Sequence, residues 1–365
     1  MMEGKSKKIK GKSETMRAML ARLLRFRLLP FAFLLLPLLS GCGGVQSALN
    51  PVGPQSGRIS RLWWLMFYVC TIVFILVIIS ILLAVYRARQ KPSTTFEAAY
   101  ITPEEGSERR VARVVTGAVL LTGIILFVFL VASFRTGRGY YTVQEQQPVS
   151  IKVTGHQWWW EIEYEDQMPS NIFKTANEIH IPVGRLVQLQ LTSTDVIHSF
   201  WVPNLDGKKD LLPGHDNNIW LKADREGEFY GQCAEFCGHQ HAHMRFIVIA
   251  ESQAKFDAWL EAQRRPAAQA PQATEVARGQ QVFLSAPCIM CHTVRGTDAG
   301  ASIAPDLTHV ASRKTIAAGT LTRTRDHLAG WITDSQQVKP GNRMPPVPLP
   351  PEDLQALVSY LESLK

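Results

Sequence analysis

Two charge-free apolar runs, residues 62–86 (LWWLMFYVCTIVFILVIISILLAVY) and 114–134 (VVTGAVLLTGIILFVFLVASF), constrain this chain more than anything else in it. As helices rising about 1.5 Å per residue, both are long enough for the roughly 30 Å hydrocarbon core of a bilayer. Trp63, Trp64 and Tyr86 fall at the ends of the first run, where aromatic side chains settle at the membrane–water boundary. Buried core helices of this length without a single charge are rare, so two membrane spans are expected, with Cys70 a membrane residue. Residues 87–113, between the runs, carry Arg87, Arg89, Lys91, Arg109, Arg110 and Arg113. The positive-inside tendency places that loop in the cytoplasm, which puts both flanks of the hairpin on the far side.

The formal charge of +8 does not point to nucleic acid, because residues 1–41 hold nine Lys/Arg against two Glu and so supply seven of those charges. No nucleic-acid partner is expected. The basic stretch runs into LLPFAFLLLPLL and then Leu39-Ser40-Gly41-Cys42, which has the form of a bacterial lipoprotein signal peptide. Cys42 is then a lipidated N-terminus; a start at Met16 or Met19 would shorten the leader. Together these features place the chain in the bacterial inner (cytoplasmic) membrane, with its soluble parts in the periplasm.

Beyond Phe134 the pattern changes to short alternating segments: 149–155, 158–165, 178–182, 186–193, 218–223 and 245–251. Many such strands at close spacing predict an all-β sandwich or small barrel over residues 145–258. Residues 261–277 (EAQRRPAAQAPQATEVA) are rich in Ala, Gln and Pro without an apolar period and read as a flexible linker. The last block, 278–365, closes on PEDLQALVSYLESLK, where Leu354, Leu357, Val358 and Leu361 recur at helical spacing.

Four of the six cysteines form two close-set pairs, Cys233/Cys237 and Cys288/Cys291, a usage that suits metal or haem chemistry rather than structural disulfides. Cys233, Cys237, His241 and Met244 would share one face of an unbroken helix. The approach GEFYGQC alternates like a strand, however, and Gly238 would interrupt a helix. Thiolates, imidazole and thioether together are copper ligands by type, whereas zinc has little use for Met. A mononuclear blue-copper centre takes a single Cys. Two Cys with two His, the second being His198 at the end of the β-like run in STDVIHSFWVP, suit two copper ions sharing both thiolates.

The order His198-Ser-Phe, then Cys233-x-Glu235-x-Cys237-x-x-x-His241-x-x-Met244, resembles the dinuclear copper A site of cytochrome c oxidase subunit II, and the resemblance covers residues 60–255. It implies a membrane hairpin followed by a cupredoxin-like sandwich. It also implies that both Cys bridge the coppers, that His198 and His241 cap one each, and that Met244 and the Glu235 carbonyl complete the coordination. The Glu235 side chain would reach a Mg or Mn ion shared with subunit I. His156, His180, His215, His239 and His243 fall off the motif. Within GHQWWWEIEY, Trp158 matches the family's electron-accepting tryptophan, and VPNLDGKKDLLPGH resembles the loop that contacts subunit I, with Lys208 and Asp210 at matching places. Relatives open a proton path with a Glu at the start of the second span. Glu108 stands there, without the Trp and Pro that accompany it in them.

Cys288-Ile-Met-Cys291-His292 is the attachment pattern of a c-type haem: two thioether bonds, with His292 placed to ligate iron. Met290 is sterically excluded as the sixth ligand, which leaves Met344, the only later Met. Met/His ligation raises the iron potential, as an electron carrier needs. The block resembles a small all-α class I cytochrome c, in which Pro305 of APDLTHV would orient His292. The whole is therefore expected to be a multi-domain membrane protein: subunit II of a haem–copper terminal oxidase with a fused cytochrome c domain. Electrons from an external cytochrome c or a quinol–cytochrome c reductase would pass to haem c, then to copper A, then to an oxygen-reducing, proton-pumping subunit I (with a subunit III). The alternatives are the electron-accepting subunit of a copper A nitric oxide reductase, and a membrane-anchored redox carrier or copper chaperone. The last needs neither two spans nor the docking loop.

Overall fold

The computed structural model describes residues 44–90, 105–138, 148–269 and 274–365. The leader, Cys42 and residues 91–104 of the basic loop lie outside the described residues. Helices α1 (Pro54–Gln90) and α2 (Glu105–Arg138) contain the two apolar runs and extend past them at both ends. Both are long and apolar enough to cross a membrane. Their apolar side chains lie open, Phe74 at 64% and Leu130 at 66% exposure, a surface that needs lipid or partner helices around it. The chain just before α1 lies against the next domain. Asn204 Nδ2 donates to the carbonyls of Ser47 (3.0 Å) and Asn50 (2.9 Å), and Val52 N donates to Asn204 O (2.7 Å).

Ten strands follow: β1 (Val149–His156), β2 (Trp159–Tyr164), β3 (Phe173–Ala176), β4 (Glu178–Pro182), β5 (Val187–Ser193), β6 (His198–Trp201), β7 (Lys209–Leu211), β8 (Asn217–Leu221), β9 (Gly227–Cys233) and β10 (Arg245–Glu251). They form two five-stranded sheets, β3-β2-β1-β5-β8 and β4-β10-β9-β6-β7. The alternation of VQLQLTS in β5 becomes a strict buried/half-buried pattern, because successive side chains point to opposite faces. The two inner faces enclose Trp160, whose ring meets those of Phe246 (5.2 Å) and Phe200 (6.1 Å) edge-on. His198 begins β6 instead of ending a strand. Helix α3 (Gln253–Arg264), which the sequence did not announce, is capped by the Ser252 side chain accepting from Lys255 N and rests Phe256 and Trp259 on the sandwich core.

The C-terminal domain holds helices α4 (Glu275–Ser285), α5 (Arg325–Thr333), α6 (Ser335–Val338) and α7 (Pro351–Ser363), with a two-residue hairpin, β11 (Thr315–Ile316) and β12 (Leu321–Thr322), as its small departure from all-α. The helical spacing of the last segment is realised: Leu357, Val358 and Leu361 are buried against Phe283 of α4. The flexible-linker reading of 261–277 is corrected. Residues 261–264 finish α3 and 275–277 begin α4. Arg295 donates to the carbonyls of Gln263 and Arg264 at the end of α3, and the described part of the stretch between is bonded to the last domain: Ala267 N donates to Arg295 O (2.9 Å), and His309 Nε2 meets Arg265 O (3.0 Å). These bonds use backbone groups, so no apolar period marks them.

Helices α4 and α7 cross at Gly279, where a Cβ would lie 1.9 Å from the Ala356 carbonyl oxygen, a backbone atom that cannot step aside. Gly279→Ala should therefore destabilise the C-terminal domain by about 3 kcal/mol, the upper range for overpacking. Urea unfolding of the purified chain in detergent, followed by hydrogen exchange in α7, should show an earlier midpoint there and an unchanged sandwich.

Candidate metal centre

The ends of three adjacent strands supply the donor atoms. Cys233 closes β9, His198 opens β6 and Met244 immediately precedes β10. Backbone bonds lock the three together: Cys233 N donates to Met244 O and Ala234 N to Ser199 O, each at 2.9 Å. The loop 234–243 carries Cys237 and His241 and contains no α-helix, only a short 3-10 turn at His241–His243, with Gly238 at φ +110°. The result is a cluster. Cys233 Sγ lies 3.8 Å from Cys237 Sγ, 3.9 Å from His198 Nδ1 and 3.2 Å from Glu235 O. Cys237 Sγ lies 3.6 Å from His241 Nδ1 and 3.8 Å from Met244 Sδ.

These separations decide what the cluster can hold. A disulfide needs about 2.05 Å between sulfurs, and both thiols are free. Donors that share an ion at about 2.0–2.3 Å sit roughly 3.3–3.8 Å apart, close to the spacing found. Soft sulfur and imidazole donors in a site where Cys233, Cys237, Met244 and His198 are all buried fit copper. The contact between the two thiols pushes Cys233 well below the ordinary thiol range and pushes Cys237 up; the thiolate is the form that binds metal.

Asp195 fixes the orientation of His198. Its Oδ1 accepts from His198 Nε2 at 2.8 Å and its Oδ2 from Gln157 N at 2.7 Å, so His198 keeps the Nδ1 lone pair free toward the sulfurs. Burial would raise the Asp195 carboxyl, but the bonds from His198, Gln157 N and Val196 N outweigh it and hold the group below its usual range. His198 can occupy this place because Gly155 has no side chain: a Cβ there would lie 2.7 Å from the imidazole Cδ2. On the other flank, Trp158 Nε1 (2.9 Å) and Gln157 Nε2 (2.8 Å) both donate to Cys237 O.

In the C-terminal domain, His292 Nδ1 donates to Pro305 O at 2.8 Å, as the resemblance implied, and this fixes the tautomer that offers Nε2 to iron. Burial pulls the His292 pKa down, favouring that neutral form. Cys288 and Cys291 are free thiols in the same turn. Met344 is held by its backbone: its N–H donates to Asn342 Oδ1 (2.8 Å) and its carbonyl accepts from Ser335 Oγ (2.6 Å) and Gln336 Nε2 (2.9 Å). A buried, oriented imidazole next to Cys291 and an ordered Met344 loop are compatible with a covalently held haem.

Comparison with known proteins agrees with this geometry. Residues 149–251 match the family described as cytochrome c oxidase subunit II, periplasmic domain, and residues 276–365 match cytochrome c. Cytochrome c oxidase subunit 2 of Alkalihalophilus pseudofirmus is 38% identical over 348 residues, covering 93% of this chain and 97% of the relative. The chain belongs to the cytochrome c oxidase subunit II family. The Bacillus sp. PS3 subunit 2 is 36% identical, covering 61% of this chain and 64% of its own length. The solved periplasmic domain of subunit II (CoxB) of Bradyrhizobium japonicum is 33% identical and covers 33% of this chain and 97% of that one, at a TM-score of 0.30. Subunit II is a component of haem–copper oxidases; this one is membrane-anchored, and its two domains imply copper A and haem c.

Not every expected residue of this subunit II reaches the cluster. The Glu235 side chain is exposed and accepts from Phe236 N (3.3 Å); only its carbonyl faces Cys233. Lys208 is exposed, as is Glu108, which stands in the first turns of α2 among Arg109 and Arg110. His239 and His243 stay out of the cluster, and His243 Nδ1 meets Gln240 Oε1 (2.8 Å). His180 meets Glu251 (2.7 Å) and stacks on Trp259. The sequence reading missed Asp195 and Gln157. The acid three residues before His198 was the available sign of the first.

Asp195→Ala should lower copper affinity roughly 10–100-fold, the usual cost of removing a carboxylate behind a metal-bound imidazole. Competition with a copper chelator measures it, and an unchanged affinity would mean that His198 is oriented by packing alone.

Proposed function

We propose that this chain accepts electrons at a single haem c and passes them through a dinuclear copper A centre to subunit I of a haem–copper terminal oxidase. The haem and the copper pair supply the one-electron redox chemistry; the chain's own residues hold, orient and connect them. Cys233, Cys237, His198, His241 and Met244, with the Glu235 carbonyl, are the residues that would hold the copper ions. Cys288 and Cys291 would hold the haem covalently, and His292 and Met344 would ligate its iron. The Glu235 side chain, exposed beside the cluster, is available to a Mg or Mn ion at the subunit I face, and Lys208 and Asp210 belong to the loop that meets that subunit. Glu108 stays a candidate for the start of a proton path. The exposed faces of α1 and α2 fit packing against subunits I and III in a bacterial inner membrane, the basic loop in the cytoplasm and both large domains in the periplasm. An external cytochrome c or a quinol–cytochrome c reductase would supply the electrons.

The observation that carries this reading is the place of Trp158. Its ring nitrogen bonds Cys237 O, and its outer edge lies 3.8 Å from where a Cβ on Gly341 would be, three residues before Met344. One aromatic side chain thus bonds the copper loop and faces the haem-ligand loop across the place a side chain on Gly341 would fill.

Two substitutions test the assignment. Cys237→Ser should abolish the electron spin signal of one unpaired electron shared by two coppers, since a single thiolate cannot bridge the pair in the same way. A retained signal contradicts the bridging role. Met344→Ala should leave haem covalently attached while lowering its reduction potential and opening the sixth position to small ligands. An unchanged potential and spectrum would assign that position to another residue.

A further inference from the structure

Lys339 is 2% exposed, among the most buried charged side chains in the described residues. Its ammonium donates to three carbonyl oxygens and to no carboxylate: Trp158 O at 2.7 Å, His243 O at 2.9 Å and Ala317 O at 3.3 Å. An ammonium has three donors, so this set satisfies it completely. Two of the three acceptors, and the two nearer ones, belong to the copper domain; only Ala317 is in the lysine's own domain. The Lys339 side chain is thus bonded more to the copper domain than to the domain that carries it.

We propose that Lys339 is the positioning residue that seats the cytochrome c domain in one register on the Trp158 face of the copper domain. This rests on the electron route proposed above and adds to it a device that fixes the geometry. A buried charge is costly unless all its hydrogen bonds are made. A domain pose shifted by even one residue would leave the ammonium dry and unpaired, so Lys339 excludes neighbouring poses more than it adds adhesion. The carbonyls it selects are not arbitrary. Trp158 bonds the Cys237 backbone, His243 adjoins Met244, and Lys339 itself stands two residues before Gly341 and five before Met344. Neighbouring contacts complete the seat: Gln240 Nε2 donates to Pro340 O (2.8 Å), Arg245 N to Ala318 O (3.0 Å), and the buried Glu178 carboxylate accepts from Thr315 N (3.1 Å).

The test uses the purified oxidase complex carrying Lys339→Met, which keeps the apolar stem and removes the donors, and Lys339→Gln, which keeps N–H donors without charge. Amide hydrogen exchange is read at Arg245 and Thr315, whose N–H groups bond across the interface, and at His292, whose N–H bonds Cys288 O within its own domain. Flash reduction of haem c reads the intramolecular step to copper. Lys339→Met should raise exchange at Arg245 and Thr315 at least ten-fold, leave His292 and the haem spectrum unchanged, and slow the haem-to-copper step at least ten-fold with a new dependence on viscosity. Lys339→Gln should fall between. Unchanged interface exchange, or equal loss of protection at His292 in both variants, overturns the proposal, the second because Lys339 would then hold its own domain together. If haem c in the unmodified complex passes no electrons to copper, the electron route fails, while the exchange measurements still judge the seat.

Discussion

Two buried sulfur atoms held 3.8 Å apart set the terms for the rest of this protein. At half that separation they would be a disulfide and the site would be lost; much farther apart, they could not share ions. Side-chain chemistry cannot impose such a spacing on a free loop. It comes from Cys233 ending one strand, from the backbone bonds that tie that strand end to Ser199 and Met244, and from the tryptophan and glutamine donors that hold the Cys237 carbonyl. The sandwich supplies the support, and its central ring cluster of Trp160, Phe200 and Phe246 meets the His198 imidazole through Trp160 (6.1 Å). A cluster built in this way has its donor atoms oriented by hydrogen bonds from outside the cluster before any metal is bound.

The same carbonyl-rich rim of the copper domain receives the cytochrome c domain. Its contacts are mostly polar and use backbone atoms: Lys339 on Trp158 and His243, Gln240 on Pro340, Glu178 on Lys314 and Thr315. At the rim Arg343 approaches Asp195 at 3.9 Å, so the residue next to Met344 faces the carboxylate that orients His198. Polar contacts of this kind fix orientation more than they add affinity, which suits two redox domains that must meet in one geometry. The segment joining them is itself bonded to Arg295 and His309, so the domains are coupled by surface as well as by connectivity.

Much of this was legible in the residues. Charge-free length pointed to the two long apolar helices, alternation to the long strands, and Cys, His and Met at fixed spacing to the side chains that gather at the sandwich loop, because metal and haem chemistry tolerate few residue types. What stayed hidden depends on partners far away in sequence. Strands β3, β6 and β7 are three or four residues long, too short for a period to emerge. Lys339 looks like a surface lysine before a Pro-Gly turn; its burial exists only once two domains meet. The segment 261–277 was misread because its bonds run through main-chain atoms that any sequence possesses. Asp195 carried a faint sign, an acid near a candidate ligand, but acids near histidines are common and only the 2.8 Å contact distinguishes this one.

The central claim is that haem c is held in one fixed pose on the copper A domain. Pulsed electron spin resonance on the fully oxidised, purified complex tests it most directly, by reading the dipolar coupling between the low-spin haem iron and the copper pair. A single narrow distance distribution, unchanged by added salt, is the predicted result. A broad distribution, or one that widens as salt is raised, would show a tethered domain that finds its place only by diffusion, and would contradict the account.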